Sequence, residues 1–303
     1  MGAVSTHDAS FEAERPRLVG LAYRMLGSLV DAEDVVQEAW LRWDRAERST
    51  IDRPAAWLTT VTSRLAIDRL RAVRRRREDY VGPWLPEPVA TRHVVVEERS
   101  PGSFSDPSLA VEQAESLELG FLIVLDTLSP VERAVFVLAD VFAVPFAEIA
   151  EAVDRTPEAC RQIASRSRRK VEQERGGRRP VDEGLLGELV GAIAMGHMDE
   201  VIELLAPGIV LTSDGGADRH AARRPVVLPE RVARLLVNLA RRAPAGAGMA
   251  IEQVNCAPAL VVRAGPESFV MMAEREQVHG SIDRVHLLLN PDKLRGLDLP
   301  LST

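Results

Sequence analysis

Apolar residues recur three and four positions apart through the first half of the chain, and this period predicts helices. Leu18, Leu21, Ala22 and Met25 share one face of a helix over residues 11–25, which breaks at Gly27-Ser28. Val35, Val36, Ala39, Trp40 and Trp43 line a second helix over residues 31–43, with Asp31 as its cap and an acidic first turn that complements the helix dipole. Its other side carries Asp34, Gln37, Glu38 and Arg42, an acidic face suited to a basic protein partner or simply to solvent. Arg53-Pro54 opens a long helix over residues 55–77. Trp57, Leu58, Val61, Leu65, Ile67 and Leu70 fall on its apolar stripe, while Thr60, Ser63, Arg64, Asp68 and Arg71 lie toward other faces.

The clearest local pattern spans residues 128–171. Ser129, Pro130 and Glu132 supply an N-cap, a first-turn proline and a capping box, and Val131, Ala134, Val135, Leu138 and Ala139 follow at helical spacing. A short helix over residues 146–153 buries Ile149, Ala150 and Val153, the chain turns at Asp154-Arg155, and Thr156-Pro157-Glu158 starts another helix at once. So short a turn forces a steep crossing, the arrangement of a helix-turn-helix. Ala159, Cys160, Ile163 and Ala164 point inward; Arg161, Gln162, Ser165, Arg168 and Arg169 form a small, polar, cationic outer face that fits a DNA major groove. Cations also favour a helix C-terminus, so a solvated basic end is the alternative.

Beyond residue 180 the period changes. Helices are expected over residues 182–195, 198–205 and 229–242, with strands over 208–212, around Ile251, Leu260 and Phe269, and over 282–289. Helices followed by hairpin-linked strands predict an α+β domain with helices packed on a curved sheet. Residues 81–109 are rich in proline, glycine and polar groups and predict a linker, and residues 176–180 a second boundary. Within the linker Pro83, Pro86 and Pro88 stiffen an extended WLPEP segment. Trp84 and Leu85 are too apolar for a free spacer and call for a pocket.

The chain's 303 residues exceed one ordinary domain, and 46% hydrophobic content supplies real cores; with 4% aromatics these must be built from Leu, Val, Ala and Ile. A net charge of −7 at first opposes nucleic-acid binding. The cations are clustered, however, at Arg71 with Arg74 to Arg77 and again from Arg166 to Lys170. Two basic patches on an acidic chain predict weak DNA binding alone and a partner that supplies the rest. The apolar stretch 134–144 is interrupted by Asp140 and is far shorter than a membrane span, and the N-terminus has no signal-peptide pattern, so a cytoplasmic protein without membrane contact is expected. Cys160 and Cys256 have no metal-ligand spacing and read as small buried hydrophobes. Among His197, Asp199, Asp214, His220, His279, Asp283 and His286 no spacing compels chemistry, and neither a catalytic residue, a metal nor a cofactor is expected.

LVGLAYRMLGSLVDAEDVVQEAWLRW, RPAAWLTTVTSRLAIDRLRAVRRRRE and the helix-turn-helix, in that order, resemble regions 2 and 4 of an extracytoplasmic-function RNA polymerase sigma factor of the sigma-70 family. WLPEP, LTSDGG and NPDKL resemble motifs of the subgroup carrying a fused SnoaL-like, NTF2-type cone at the C-terminus. The resemblance implies a region 2 domain at residues 1–80, a linker at 81–110, a region 4 domain at 111–177 and a SnoaL-like regulatory domain at 181–295. It implies that Asp31, Asp34, Gln37, Glu38 and Arg42 dock on core polymerase. Thr60, Ser63, Arg64, Asp68, Arg71 and Arg74 would meet the minus-10 element, and Thr156, Arg161, Gln162, Ser165 and Arg168 the minus-35 element. Trp84, Leu85, Pro86, Asp214, Gly215, Asn290, Pro291, Asp292 and Lys293 would form a regulatory contact that docks the C-terminal domain on the linker. The subgroup's glycine-rich motif continues with glycine and lysine; here Ala217-Asp218 follow, so that cation is missing. The rival functions are a ligand-sensing helix-turn-helix repressor or activator, and a cyclase-like enzyme fused to a DNA-binding arm; an acid–base pair clustered inside the cone would favour the enzyme.

Overall fold

The helical period of the N-terminal half builds α1 (Thr6–Leu26), α2 (Leu29–Arg45) and α3 (Pro54–Arg77), joined through Leu18, Leu21, Tyr23, Val36, Ala39, Leu58 and Leu70, all buried. The computed structural model describes residues 6–47, 51–77, 80–91, 113–217, 219–276 and 280–298; His279 falls outside them. Trp43 and Trp57 meet with ring centroids 5.5 Å apart, which explains the place of both on their apolar stripes. Trp40 is only half-buried. The cap of α2 is Ser28 rather than Asp31. Gly27 turns the chain with φ 69°, Ser28 is extended, and its hydroxyl accepts from the Asp31 amide at 3.2 Å. Asp31 therefore lies within the first turn, with its carboxylate available for another partner.

The second helical set comprises α4 (Leu119–Leu125), α5 (Pro130–Phe136), α6 (Phe146–Val153) and α7 (Pro157–Arg175). Both halves of the expected Ser129/Glu132 capping box are present, and the Glu132 carboxyl is held below its usual range chiefly by its hydrogen bond to the Ser129 backbone. A π-helical turn, Val137–Val141, extends α5. Between α6 and α7, Asp154 adopts the left-handed conformation with φ 54°, and the Thr156 hydroxyl caps α7 by accepting from the Ala159 amide at 3.2 Å. Cys160 and Ala164 are buried beneath α7; Ala159 and Ile163 are half-buried.

The chain resolves into two compact units: Met1–Glu78, Val94–Ser116 and Val124–Glu174 form one, and Asp79–His93, Leu117–Ile123 and Arg175–Thr303 the other. The second unit contains β1 (Arg178–Pro180), α8 (Glu183–Met195), α9 (Met198–Leu204), β2 (Leu205–Asp214), β3 (Val226–Val227) and α10 (Pro229–Arg241). Then come β4 (Gly248–Val254), β5 (Ala257–Arg263), β6 (Phe269–Glu276), β7 (Ile282–Leu288) and α11 (Pro291–Asp298). The sheet order is β3-β2-β7-β6-β5-β4, with β1 also pairing β6, and β2 runs parallel to β7 while the other pairings are antiparallel. The expected α+β class holds, with a mixed sheet in place of a simple hairpin series. The glycine-rich stretch read as a boundary contains β1. Cys256 is half-buried in the β4–β5 turn, where Asn255 and Cys256 both have positive φ, so it is not the core residue expected.

Alternation along the strands gives the sheet two apolar faces. Leu211, Val262, Met271, Val285 and Leu287 face α8, α9 and α10, packing with Leu186, Leu189, Leu236 and Val237. Val254, Val261, Val270, Met272 and Leu288 pack on the other face with Leu294 and Leu297 of α11 and with Leu85, Ala90 and Leu119. Two chain segments distant in sequence, one on either side of residues 92–112, are thus built into this second core.

Candidate functional site

Among the positions expected to meet polymerase, Asp34, Gln37, Glu38 and Arg42 are exposed on α2, with Arg42 bonded to Glu38 at 3.1 Å. Asp31 is half-buried and takes the guanidinium of Arg69 from α3, which also reaches Asp34 at 3.5 Å. Along α3, Arg64, Asp68 and Arg71 are exposed, and Thr60 is half-buried. Ser63 is fully buried, in contrast to the expectation for a DNA-facing residue, because it shares the helix side of Ala66, Ile67 and Leu70. Arg64 donates to the Glu151 carbonyl of α6 at 2.6 Å, and Arg53 pairs with Glu148 at 2.6 Å. Arg74 donates to the carbonyls of Asp126, at 2.8 Å, and of Leu128. Three cations of the α3 region are therefore engaged by the helix-turn-helix set within the same unit.

On α7 the outward face is as expected. Thr156, Arg161, Gln162, Ser165 and Arg168 are all exposed. Arg161 lies over the Phe146 ring at 5.8 Å and pairs with Glu158 at 3.3 Å, while Arg168 bonds Asp140. Burial raises the Asp140 carboxyl, and Arg168 pulls it back only in part. Arg133, with no exposure, holds this set together by bonding Asp126 and donating to the Arg24 carbonyl at 3.0 Å.

The residues named for a regulatory contact converge in the other unit. Asp214 ends β2, is wholly buried, and accepts four hydrogen bonds: Tyr80 Oη at 2.5 Å and the Gly216 amide at 3.1 Å on Oδ1, the Leu85 amide at 2.8 Å and Lys293 Nζ at 2.6 Å on Oδ2. Lys293 also donates to the Leu85 carbonyl and sits 4.0 Å from the centroid of Trp84 and 5.4 Å from that of Tyr80. One ammonium thus satisfies a buried carboxylate, a linker carbonyl and two aromatic faces. Asn290 caps α11 by accepting from the Asp292 amide at 3.0 Å, its Nδ2 donates to Tyr80 Oη at 2.9 Å, and Pro291 takes the first helical position. Leu85 and Pro86 are buried and Trp84 is half-buried. Gly215 and Gly216 are required here. A Cβ on Gly215 would approach the Arg219 carbonyl to 2.6 Å, and one on Gly216, at φ 64°, would meet Asn290 at 2.7 Å. The cation that meets Asp214 comes from the NPDKL segment, as Lys293.

Three participants escape the sequence reading. Tyr80 precedes the proline-rich segment and gives no signal of its own. Asn255 looks like an ordinary turn residue, yet it is wholly buried: Oδ1 accepts from the Val89 amide and Nδ2 donates to the Leu117 carbonyl, both at 3.0 Å. It therefore ties residues on both sides of the 92–112 segment to one turn. Arg175 adds a second hold by pairing with Glu118 at 2.7 Å while lying over the Phe121 ring at 5.3 Å.

A clustered acid–base pair does exist: Glu274 and His286 meet at 3.2 Å, both buried. It lies on the sheet face that carries Met272 and Leu288, beneath residues 117–123, where a Cβ on Gly120 would overlap the Glu274 carboxylate at 1.9 Å. The Glu274 carboxylate is packed directly against Gly120. Burial would raise Glu274, but the hydrogen bond and charge of His286, with Arg178 and Arg175 beyond, bring it below its usual 4.5. A depressed carboxyl contributes stability above its unfolded pKa and loses it as pH falls through the folded value. Urea unfolding between about pH 3 and 6 should show this acid-side loss in the parent and less of it in Glu274→Gln. His197 pairs with Glu200, Asp283 with Arg178 and Arg284, and Asp199 and His220 are exposed, so none joins a catalytic cluster. Among the described residues no helix is long and apolar enough to cross a membrane.

A three-helix module, a helix-turn-helix with an exposed cationic recognition face and an appended α+β domain define a multidomain DNA-directed protein. Comparison with known proteins gives the family. Residues 11–76 match Sigma-70 region 2, and residues 123–171 match Sigma-70, region 4. The ECF RNA polymerase sigma factor SigJ of Mycobacterium tuberculosis is 42% identical over 238 residues, covering 77% of this chain and 73% of its own. The probable ECF RNA polymerase sigma factor SigI of the same species is 31% identical over 99% of both chains. The crystal structure of SigJ matches with a TM-score of 0.72 and 35% identity, covering 96% of this chain and 99% of that one. The chain belongs to the extracytoplasmic-function RNA polymerase sigma factors of the sigma-70 family. It binds core RNA polymerase and promoter DNA, directs initiation, and is not an enzyme.

Proposed function

We propose that this sigma factor is regulated by its own C-terminal domain, which fastens the connector between its two DNA-reading modules. The observation that carries the reading is the convergence of Tyr80, Trp84 and Leu85 on Asp214 and Lys293, together with the Asn255 side chain that bonds Val89 and Leu117. Tyr80 follows the end of α3 closely and Leu117 precedes α4, so both ends of the connector are held by one rigid sheet. The division into region 2 at 1–80, linker at 81–110, region 4 at 111–177 and regulatory domain at 181–295 is the functional partition we propose.

In this reading the fastened state is the restrained one. Arg64 and Arg74, proposed to meet the minus-10 element with Thr60, Asp68 and Arg71, are bonded to main-chain carbonyls of the helix-turn-helix set. Ser63, also proposed for that element, is buried and its hydroxyl has no hydrogen-bond partner among the described residues. A buried, unpaired hydroxyl costs about 1–3 kcal/mol. Asp34, Gln37, Glu38 and Arg42, already exposed, are the proposed polymerase-docking positions, with Asp31 joining them on release of Arg69. Thr156, Arg161, Gln162, Ser165 and Arg168 are the proposed minus-35 readers.

The clasp is intramolecular, so even modest contact energy keeps it populated at the effective concentration of roughly millimolar that a tether provides. Limited proteolysis of the full chain tests it. Trp84→Ala/Leu85→Ala, or deletion from residue 290 onward, should speed cleavage within residues 80–112 relative to the parent. Equal protection of that segment in parent and variants would remove the clasp from the account.

A further inference from the structure

The helix-covered side of the second unit's sheet contains a cavity of about 480 Å³ unrelated to the clasp, within the range of small-molecule sites. Its floor is apolar: Leu287 and Leu289 from the β7 end, and Leu235 and Leu239 from α10. Its mouth is cationic. Arg231, Arg234 and Arg242 line it, and none of the three forms an ion pair with any described residue. Helical spacing places them there. Val232, Ala233, Leu236 and Val237 form the core stripe of α10, while positions 231, 235, 238 and 242 recur along the neighbouring stripe, which overlooks the cavity. Asn238 adds an uncharged amide on that stripe. The opposite sheet face carries Glu274 and His286, so no carboxylate from that pair faces these arginines.

Guanidinium groups above an apolar floor select an oxyanion attached to an apolar body. Arginine presents planar donors that match carboxylate, sulfonate or phosphate oxygens, and the leucines remove the rest of the molecule from water. We propose that this cavity is a binding site for a small amphiphilic anion, with the head group held by Arg231 and Arg234 and the apolar body against Leu235, Leu239 and Leu287. The inference stands apart from the regulatory reading, since binding alone decides it.

The probe is 8-anilinonaphthalene-1-sulfonate, a sulfonate on an aromatic body, titrated into the full-length folded chain and followed by fluorescence. Saturable binding at one site is expected, competed by octanoate but not by octanol or inorganic phosphate. Arg231→Gln/Arg234→Gln, two exposed positions outside the packed core, should weaken it about tenfold with an unchanged circular dichroism spectrum. Leu239→Glu, which places a carboxylate on the apolar floor, should weaken it as well. Absence of saturable binding, competition by octanol as effective as by octanoate, or unchanged affinity in the double arginine variant would each overturn the proposal.

Discussion

Lys293→Met is expected to lower the stability of the C-terminal unit by about 3–5 kcal/mol, the cost of leaving a buried charge without its partner. Asp214 has no solvent exposure and Lys293 is nearly as enclosed, at 11% side-chain exposure. Removing the ammonium leaves the carboxylate with three neutral donors, from Tyr80, Leu85 and Gly216, and leaves the Leu85 carbonyl without the ammonium it accepts from. It also removes the cation from the faces of Trp84 and Tyr80. The midpoint of urea unfolding, followed by tryptophan fluorescence, measures the change. Asp214→Asn/Lys293→Met should be less unstable than the sum of its single variants, because the pair is removed together. A loss below about 1 kcal/mol for Lys293→Met would mean that Asp214 is solvated in solution and the clasp is loose.

Arg161→Ala and Gln162→Ala should each weaken recognition of the upstream promoter element by about 1–3 kcal/mol, roughly tenfold or more, with little effect on a promoter altered at the contacted base. Both residues are exposed on the outward face of α7, and the pairing of Arg161 with Glu158 is a surface contact that DNA can replace at low cost. Neutralising Arg74 and Arg75 instead should weaken binding across sequences and flatten its salt dependence, since phosphate contacts carry no sequence information. The readout is run-off transcription from a panel of single-base promoter variants. Unchanged preference in Arg161→Ala would place the recognition surface elsewhere.

The helical half of this fold was legible because its signals are local. Ser129, Pro130 and Glu132 cap α5, and Thr156 and Pro157 start α7, by chemistry confined to a few neighbouring residues. The clasp was legible through motif resemblance, with its bonding hidden: nothing near LTSDGG indicates that the cation comes from position 293, or that Tyr80 closes the carboxylate's shell. Asn255 was missed for the same reason, since its partners Val89 and Leu117 lie more than a hundred positions away. The cap of α2 was expected at Asp31, with Gly27-Ser28 read only as a break; Gly27 turns the chain at φ 69° and leaves the extended Ser28 to cap the helix. Ser63 is polar on a helix whose polar face was expected outward, but its angular position matches Ala66, Ile67 and Leu70, so packing buried it.

The most direct measurement of the central claim is multi-round transcription with core RNA polymerase at limiting sigma factor, comparing the parent with Trp84→Ala/Leu85→Ala. These positions lie outside the proposed polymerase and DNA contacts, so start-site choice should be unchanged. If the fastened connector restrains the two DNA-reading modules, the variant populates the competent arrangement more often and yields several-fold more transcript from the same start site, in proportion to the fraction released. Equal or lower output from a folded variant, with the connector shown to be cleavable, would contradict regulation through this clasp.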